Sequence, residues 1–271
     1  MDRSLISLNS TTLRGTPLPL LLDYAVAAGL AGVGLWREVY EDRTLADAAA
    51  LVRASGLRVT SVCRAGMFTA ATAAERRTRL TDNYRAVEEA AQLGAESLVV
   101  VCGGIVGRDL VGSRQMVEDG LTDLAGHAAV AGVRLAVEPM HPMMVADRSV
   151  VTSLAEAADL LETLDARGAM GVGVAVDAYH LWWDVHLDRD LARVAGRVLG
   201  VQVSDWVTPI NGQLSSRGMP GEGCIDLAGF VAAVWRAGWS GPVEIEVLSD
   251  HWWAQSPERV LAAALRGTDA I

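Results

Sequence analysis

Short runs of β-branched and other apolar residues alternate along this chain with longer segments whose apolar residues recur at helical spacing. Each helical segment leaves through a glycine or polar turn toward the next short run. The pattern predicts strands at residues 5–8, 32–35, 58–62, 97–101, 134–137, 173–176, 200–203 and 243–247. It predicts helices at 17–28, 45–54, 73–93, 113–131, 153–165, 187–198, 227–237 and 257–265, with proline near the start of the first and last. Runs such as Leu98-Val99-Val100-Val101 are apolar on both faces. Parallel strands covered on both sides read this way.

Strict alternation of strand and helix implies an α/β fold with a parallel sheet. An open doubly wound sheet usually carries a glycine-rich phosphate turn after its first strand, whereas the turn here reads Asn9-Ser10-Thr11-Thr12. Eight units without a linker favour a single (β/α)8 TIM barrel, one domain over residues 1–271. The longest connection after a strand, residues 204–224, has the length of a lid or binding loop.

With 51% hydrophobic and 21% charged residues, the chain can bury a large core. Its net charge of -10 argues against a nucleic-acid partner, because phosphate binding needs a basic face. All 23 basic residues are arginine, which excludes a Schiff-base lysine, a lysine-anchored pyridoxal phosphate and a Walker A loop. The start lacks a basic segment followed by a long apolar run, and no stretch reaches the roughly 18 apolar residues that span a bilayer. A cytoplasmic protein with no membrane partner is expected. Cys63, Cys102 and Cys224 have neither disulfide-framework nor zinc-site spacing.

In a β/α barrel the reactive groups stand at the C-terminal strand ends. Here Glu138 follows strand five, Asp177 strand six, and Glu246 strand eight, while Gln202 lies in strand seven. Carboxylates ending apolar strands inside a barrel are costly to desolvate without a cation. With no lysine, that cation is either an arginine of the barrel rim or a metal ion.

Val137-Glu138-Pro139, the Asp177-x-x-His180 step, Asp205, Gly221-Glu222-Gly223-x-Ile225-Asp226, and Gly241 five residues before Glu246 together resemble the xylose isomerase-like barrel superfamily. That superfamily includes ketose 3-epimerases, hydroxypyruvate isomerases, inosose dehydratases and endonuclease IV. The resemblance covers essentially the whole chain. It implies Glu138, Asp177, Gln202 and Glu246 as metal ligands, His180 as a contact to substrate oxygens, and Glu138 with Glu246 as the acid-base pair. Most relatives have histidine where this chain has Gln202; the hydroxypyruvate isomerase branch resembles it in having glutamine. An all-oxygen shell suits manganese or magnesium better than zinc. The alternative is that Gln202 merely lines the barrel. Beyond Glu138, where some ketose epimerases carry a second substrate-binding acid, this chain has Met143 and Met144, and His141, Asp147 or Arg148 could replace that contact.

Six of the eight tryptophans follow strands, and of these Trp36, Trp182 and Trp206 are the candidates to pack against a sugar-like small molecule. The other reading is that tryptophans seal the barrel top or an oligomer interface. Arg37, Arg64 and Arg217 also follow strands, and each could hold a carboxylate or phosphate bidentately. Barrels of this type commonly pair, which leaves a homo-oligomer open.

The implied function is a metal-dependent isomerase or epimerase of a sugar-like hydroxycarbonyl compound, working through a metal-stabilised enediolate. One alternative is a lyase or dehydratase acting on a keto-sugar, keto-inositol or keto-glycoside, because the same enediolate can expel a β-substituent. A second is a metal-free, non-catalytic partner subunit. Asp177 ends a strand without apolar packing, so Asp177→Ala is expected to remove the metal and leave the fold.

Overall fold

The computed structural model describes residues 1–271. Eight parallel strands close into a barrel: β1 (Ile6–Asn9), β2 (Gly32–Trp36), β3 (Arg58–Gly66), β4 (Leu98–Val101), β5 (Leu135–Val137), β6 (Val172–Asp177), β7 (Val198–Val203) and β8 (Val243–Ile245). Each pairs with its sequence neighbours, and β8 pairs with β1 through Ile6↔Val243, Ser7↔Glu244 and Leu8↔Ile245. The main outer helices are α1 (Leu18–Ala27), α2 (Leu45–Ser55), α3 (Ala73–Leu93), α4 (Leu110–Ala131), α5 (Leu154–Ala166), α6 (Leu187–Arg193), α7 (Leu227–Arg236) and α8 (Pro257–Gly267).

Local chemistry sets the helix ends. Thr72 and Glu75 form a reciprocal capping box at the start of α3, and Gly94 ends it with φ 68°, a left-handed conformation that glycine adopts freely. The helix predicted over 187–198 stops at Arg193, and the chain turns through Gly196, at φ 76°, into β7 at Val198. No helix is long and apolar enough to cross a membrane.

The two-residue period of the strands sorts the core. Leu98 and Val100 join the large cluster between barrel and helices, while Val99 packs inside with Cys63, Ala136, Ala175 and Leu199. In β8, Val243 and Ile245 belong to the outer core, whereas Glu244 bonds to Asn9 and Gln202 across the barrel interior. Gly34 makes room for Glu244, since a Cβ there would lie 2.4 Å from its carboxyl carbon. The barrel interior thus carries a polar layer built around one buried carboxylate.

Candidate active site

Four of the residues expected at the mouth, Glu138, Asp177, His180 and Glu246, are buried there, and Arg217 is buried with them. Glu138 and Glu246 directly follow β5 and β8, and Asp177 is the last residue of β6. Ligand atoms of Glu138, Asp177 and His180 lie within 4.8 Å of one another. Glu246 joins them through Arg217, whose Nη1 is 2.9 Å from Asp177 Oδ2 and 3.5 Å from Glu246 Oε2. Gln202 pairs in register with Asp177 on one side and Glu244 on the other. Its Nε2 donates to Glu244 Oε1 at 3.0 Å, and its Oε1 is buried without a partner.

Arg217 reaches the cluster because the connection after β7 folds into a two-stranded antiparallel ribbon that pairs Trp206 with Arg217 and Asp205 with Gly218. Asp205 anchors this loop by accepting the backbone N–H groups of Trp206, Gly221 and Ile225. The guanidinium also stacks 4.4 Å over the Tyr179 ring.

His180 Nδ1 accepts the backbone N–H of His141 at 3.2 Å, which calls for the proton of a neutral ring on Nε2, whereas Arg217 Nη2, which can only donate, competes for a bare Nε2. That nitrogen lies 3.6 Å from Glu138 Oε1 and 3.7 Å from Asp177 Oδ2, with Arg217 Nη2 3.3 Å away. Burial, Arg217 and His141 together push the His180 pKa well below its ordinary value, so the ring is neutral. A neutral ring with its hydrogen on Nε2 is suited to donate to a substrate oxygen.

Of the expected tryptophans, Trp36 turns its Nε1 toward Glu246 Oε1 at 3.0 Å, and Asn9 Nδ2 donates to the same oxygen at 3.1 Å. A cavity of about 30 Å³, the room of one water or ion, is lined by Trp36, Arg64, Glu138, Met140, Arg217 and Glu246 among others. His141, Trp182 and Trp206 form an adjoining aromatic cluster with Tyr179; the Tyr179 and Trp206 rings stack at 4.8 Å. Arg37 points away from this cavity, because Asp82 and Glu89 of α3 hold its guanidinium. Asn9 and Glu244 escaped the sequence reading, although Asn9 is the polar end of β1 and Glu244 lies two residues before Glu246 on the same strand face.

The cluster lacks positive charge. Burial, then Glu246 and Asp177, holds the Glu138 carboxyl well above its ordinary range. Burial also raises Asp177 against the opposing effect of Arg217. It pushes Glu246 up to about 7, again with Arg217 opposing. Burial works against the charge on Arg217 as well, but Asp177, Glu246 and Glu138 more than offset it. Glu138, Asp177 and Glu246 outnumber Arg217, the one guanidinium in ion-pair contact with the cluster, so the site favours uptake of protons or of a further cation. That balance and the orphaned Gln202 carbonyl oxygen fit a bound metal ion.

A pH dependence follows from the raised carboxyls. The folded protein holds the Glu246 proton more tightly than the unfolded chain, so this contribution is present below pH 4.5 and lost as pH rises through about 7. Between pH 5.5 and 8 chelated wild type is therefore expected to lose melting temperature relative to Glu246→Gln, by roughly 2–4 °C for each kcal/mol of this contribution lost. The same pH dependence of melting in wild type and Glu246→Gln would contradict the assignment, since the opposing contribution of the neutral His180 ring is common to both.

A family model described as xylose isomerase-like TIM barrel matches residues 22–270. The chain is 29% identical over 269 residues to a curated 3-dehydroshikimate dehydratase of Pseudomonas aeruginosa, covering 94% of this chain and 40% of that protein. It thus spans about two fifths of the length of the curated relatives it matches. Among solved structures, protein SMc04130 from Sinorhizobium meliloti 1021 is similar at 38% identity and a TM-score of 0.94, covering 99% of this chain and 98% of that one. The IOLI protein with a bound zinc atom shares the fold at 21% identity and a TM-score of 0.82, covering 98% and 97%.

Proposed function

We propose that this chain, which belongs to the xylose isomerase-like TIM barrel family, is a divalent-metal-dependent lyase that removes a proton beside the carbonyl of a hydroxycarbonyl compound and expels a β-hydroxyl as water. The observation that carries the proton abstraction is the pair of buried carboxylates, Glu138 and Glu246, lining one cavity from β5 and β8. The elimination is supported by the likeness to a 3-dehydroshikimate dehydratase over nearly the whole chain.

Glu246 is placed to accept the proton, its buried carboxylate standing directly after β8 on the cavity it shares with Glu138. Trp36 and Asn9 donate to its Oε1, while its Oε2 meets Arg217 Nη1 at the longer distance of 3.5 Å. Glu138 delivers a proton to the departing oxygen, and His180 Nε2–H holds a second substrate oxygen. Glu138, Asp177, Gln202 and Glu246 would hold the cation, which supplies Lewis-acid polarisation of the carbonyl. The oxygen-rich donor set favours manganese or magnesium.

The second reading, an isomerase or epimerase of a sugar-like compound, is supported by the same two carboxylates: a proton taken by one can be returned to the same or a neighbouring carbon. Incubation with 3-dehydroshikimate and with ketoses in D2O, with chelator and then manganese or magnesium, separates the readings. Metal-dependent loss of water supports the lyase. Deuterium in a product that has lost no water supports the isomerase and overturns the lyase. A protein that binds no divalent ion overturns both and leaves a non-catalytic partner subunit.

A further inference from the structure

We infer that Glu244 acts as a positioning residue that fixes the side-chain amide of Gln202, so that an oxygen and not an NH2 group is presented to the cation; the inference rests on the metal-dependent reading above. Glu244 is buried in the barrel interior, one strand-face step below Glu246. It is surrounded by donors: Asn9 Nδ2 at 2.7 Å, Thr60 Oγ1 at 2.6 Å, Ser61 Oγ at 2.9 Å and Gln202 Nε2 at 3.0 Å. Ser7 extends this chain through the Thr60 hydroxyl at 2.7 Å. Those four groups donate to Glu244, so its carboxyl meets Gln202 as an acceptor.

The two ends of a glutamine amide have nearly the same shape, so packing alone does not choose between them. Glu244 does choose, because only the NH2 end can meet an acceptor. Gln202 Oε1 is then left buried and unpartnered, which is unusual in a folded interior unless something binds there. Gln202 sits between Glu244 and Asp177 in the strand pairing, so its amide bridges the polar interior layer and the carboxylate cluster. The absence of a side chain at Gly34 opens the space that the Glu244 carboxyl fills. Outer-shell groups of this kind commonly change metal affinity 10- to 100-fold.

The test measures Mn2+ affinity by calorimetry for the wild type, Glu244→Gln, and the exchange Gln202→Glu/Glu244→Gln. A glutamine at 244 can donate or accept, so the selection at Gln202 is lost and binding should weaken by about 10- to 100-fold. In the exchange variant, residue 202 offers an oxygen whichever way it turns, the total charge is unchanged, and affinity should return to within a few-fold of wild type. A folded Glu244→Gln that binds Mn2+ as tightly as wild type overturns the inference. So does a loss that the exchange leaves uncorrected, since that outcome marks a merely structural role. Should Glu244→Gln fail to fold, the side-chain NH2 signal of Gln202 in wild type, identified by its loss in Gln202→Leu, is followed by NMR during a Mg2+ titration. A shifted signal supports carbonyl coordination; an unmoved signal with Mg2+ bound overturns it. A wild type that binds neither ion removes the metal-dependent reading itself, whereas the other failures leave that reading intact.

Discussion

Glu246→Gln is expected to lower turnover by about 10² to 10⁴, the range typical of losing a general acid or base. The substitution keeps the shape of the side chain and an oxygen that can still accept from Trp36 Nε1 and Asn9 Nδ2. What it removes is the ability to take a proton beside the cavity shared with Glu138. The new NH2 end would face Arg217 Nη1, which lies 3.5 Å from the present Oε2, so a modest weakening of that contact is included. Steady-state rates with the natural metal restored, together with exchange of the substrate proton in D2O, measure the effect. Substrate affinity within a few-fold of wild type with turnover unimpaired would rule out the base role.

The eight-unit barrel was legible because each strand is a short apolar run and each helix a longer amphipathic one, and these signals are local. Helix α6 was overrun by several residues because the break before Val198 is short: Gly196, at φ 76°, and Arg197 turn the chain into β7, and Val194 and Ala195 continue the apolar pattern of the helix up to that turn. In the site, Glu138, Asp177 and Glu246 stand out in sequence as charges that close apolar runs. Glu244 carries the same signal at a spacing of two, which puts it on the same strand face, yet its role depends on what Asn9, Thr60 and Gln202 bring from other strands. Arg217 was a candidate from its place in the long connection after β7, but its pairing with Asp177 was not legible, since it depends on a ribbon that joins residues on either side of a polar loop with no strand-like pattern. The fate of Arg37 was hidden for a similar reason: Asp82 and Glu89 lie a whole β/α unit away and compete for it. Trp36 could be assigned to the mouth from its position at the end of β2, but only the folded geometry turns its N–H onto Glu246.

Asp177→Ala is expected to cost about 3–5 kcal/mol of stability in metal-free protein, the range for removing one partner of a buried ion pair. The sequence alone suggested that this change would spare the fold, because Asp177 has no place in the apolar core. The structure gives the carboxylate two other tasks. Its Oδ1 accepts the backbone N–H of Tyr179 at 2.9 Å, capping the short helical turn that carries His180, and its Oδ2 pairs with Arg217 at 2.9 Å. Alanine leaves that guanidinium buried with only the more distant Glu246 oxygen and no other carboxylate in ion-pair contact. Replacing the whole pair by apolar groups is far less costly than breaking it, so Asp177→Ala/Arg217→Met should recover much of the lost stability. Urea denaturation of wild type, both single variants and the double variant, all in chelator, closes the cycle. Metal binding should be lost in both variants that lack Asp177, which separates the ligand role from the structural one. Equal denaturation midpoints for wild type and Asp177→Ala would mean that the Asp177–Arg217 pair does not hold this mouth together.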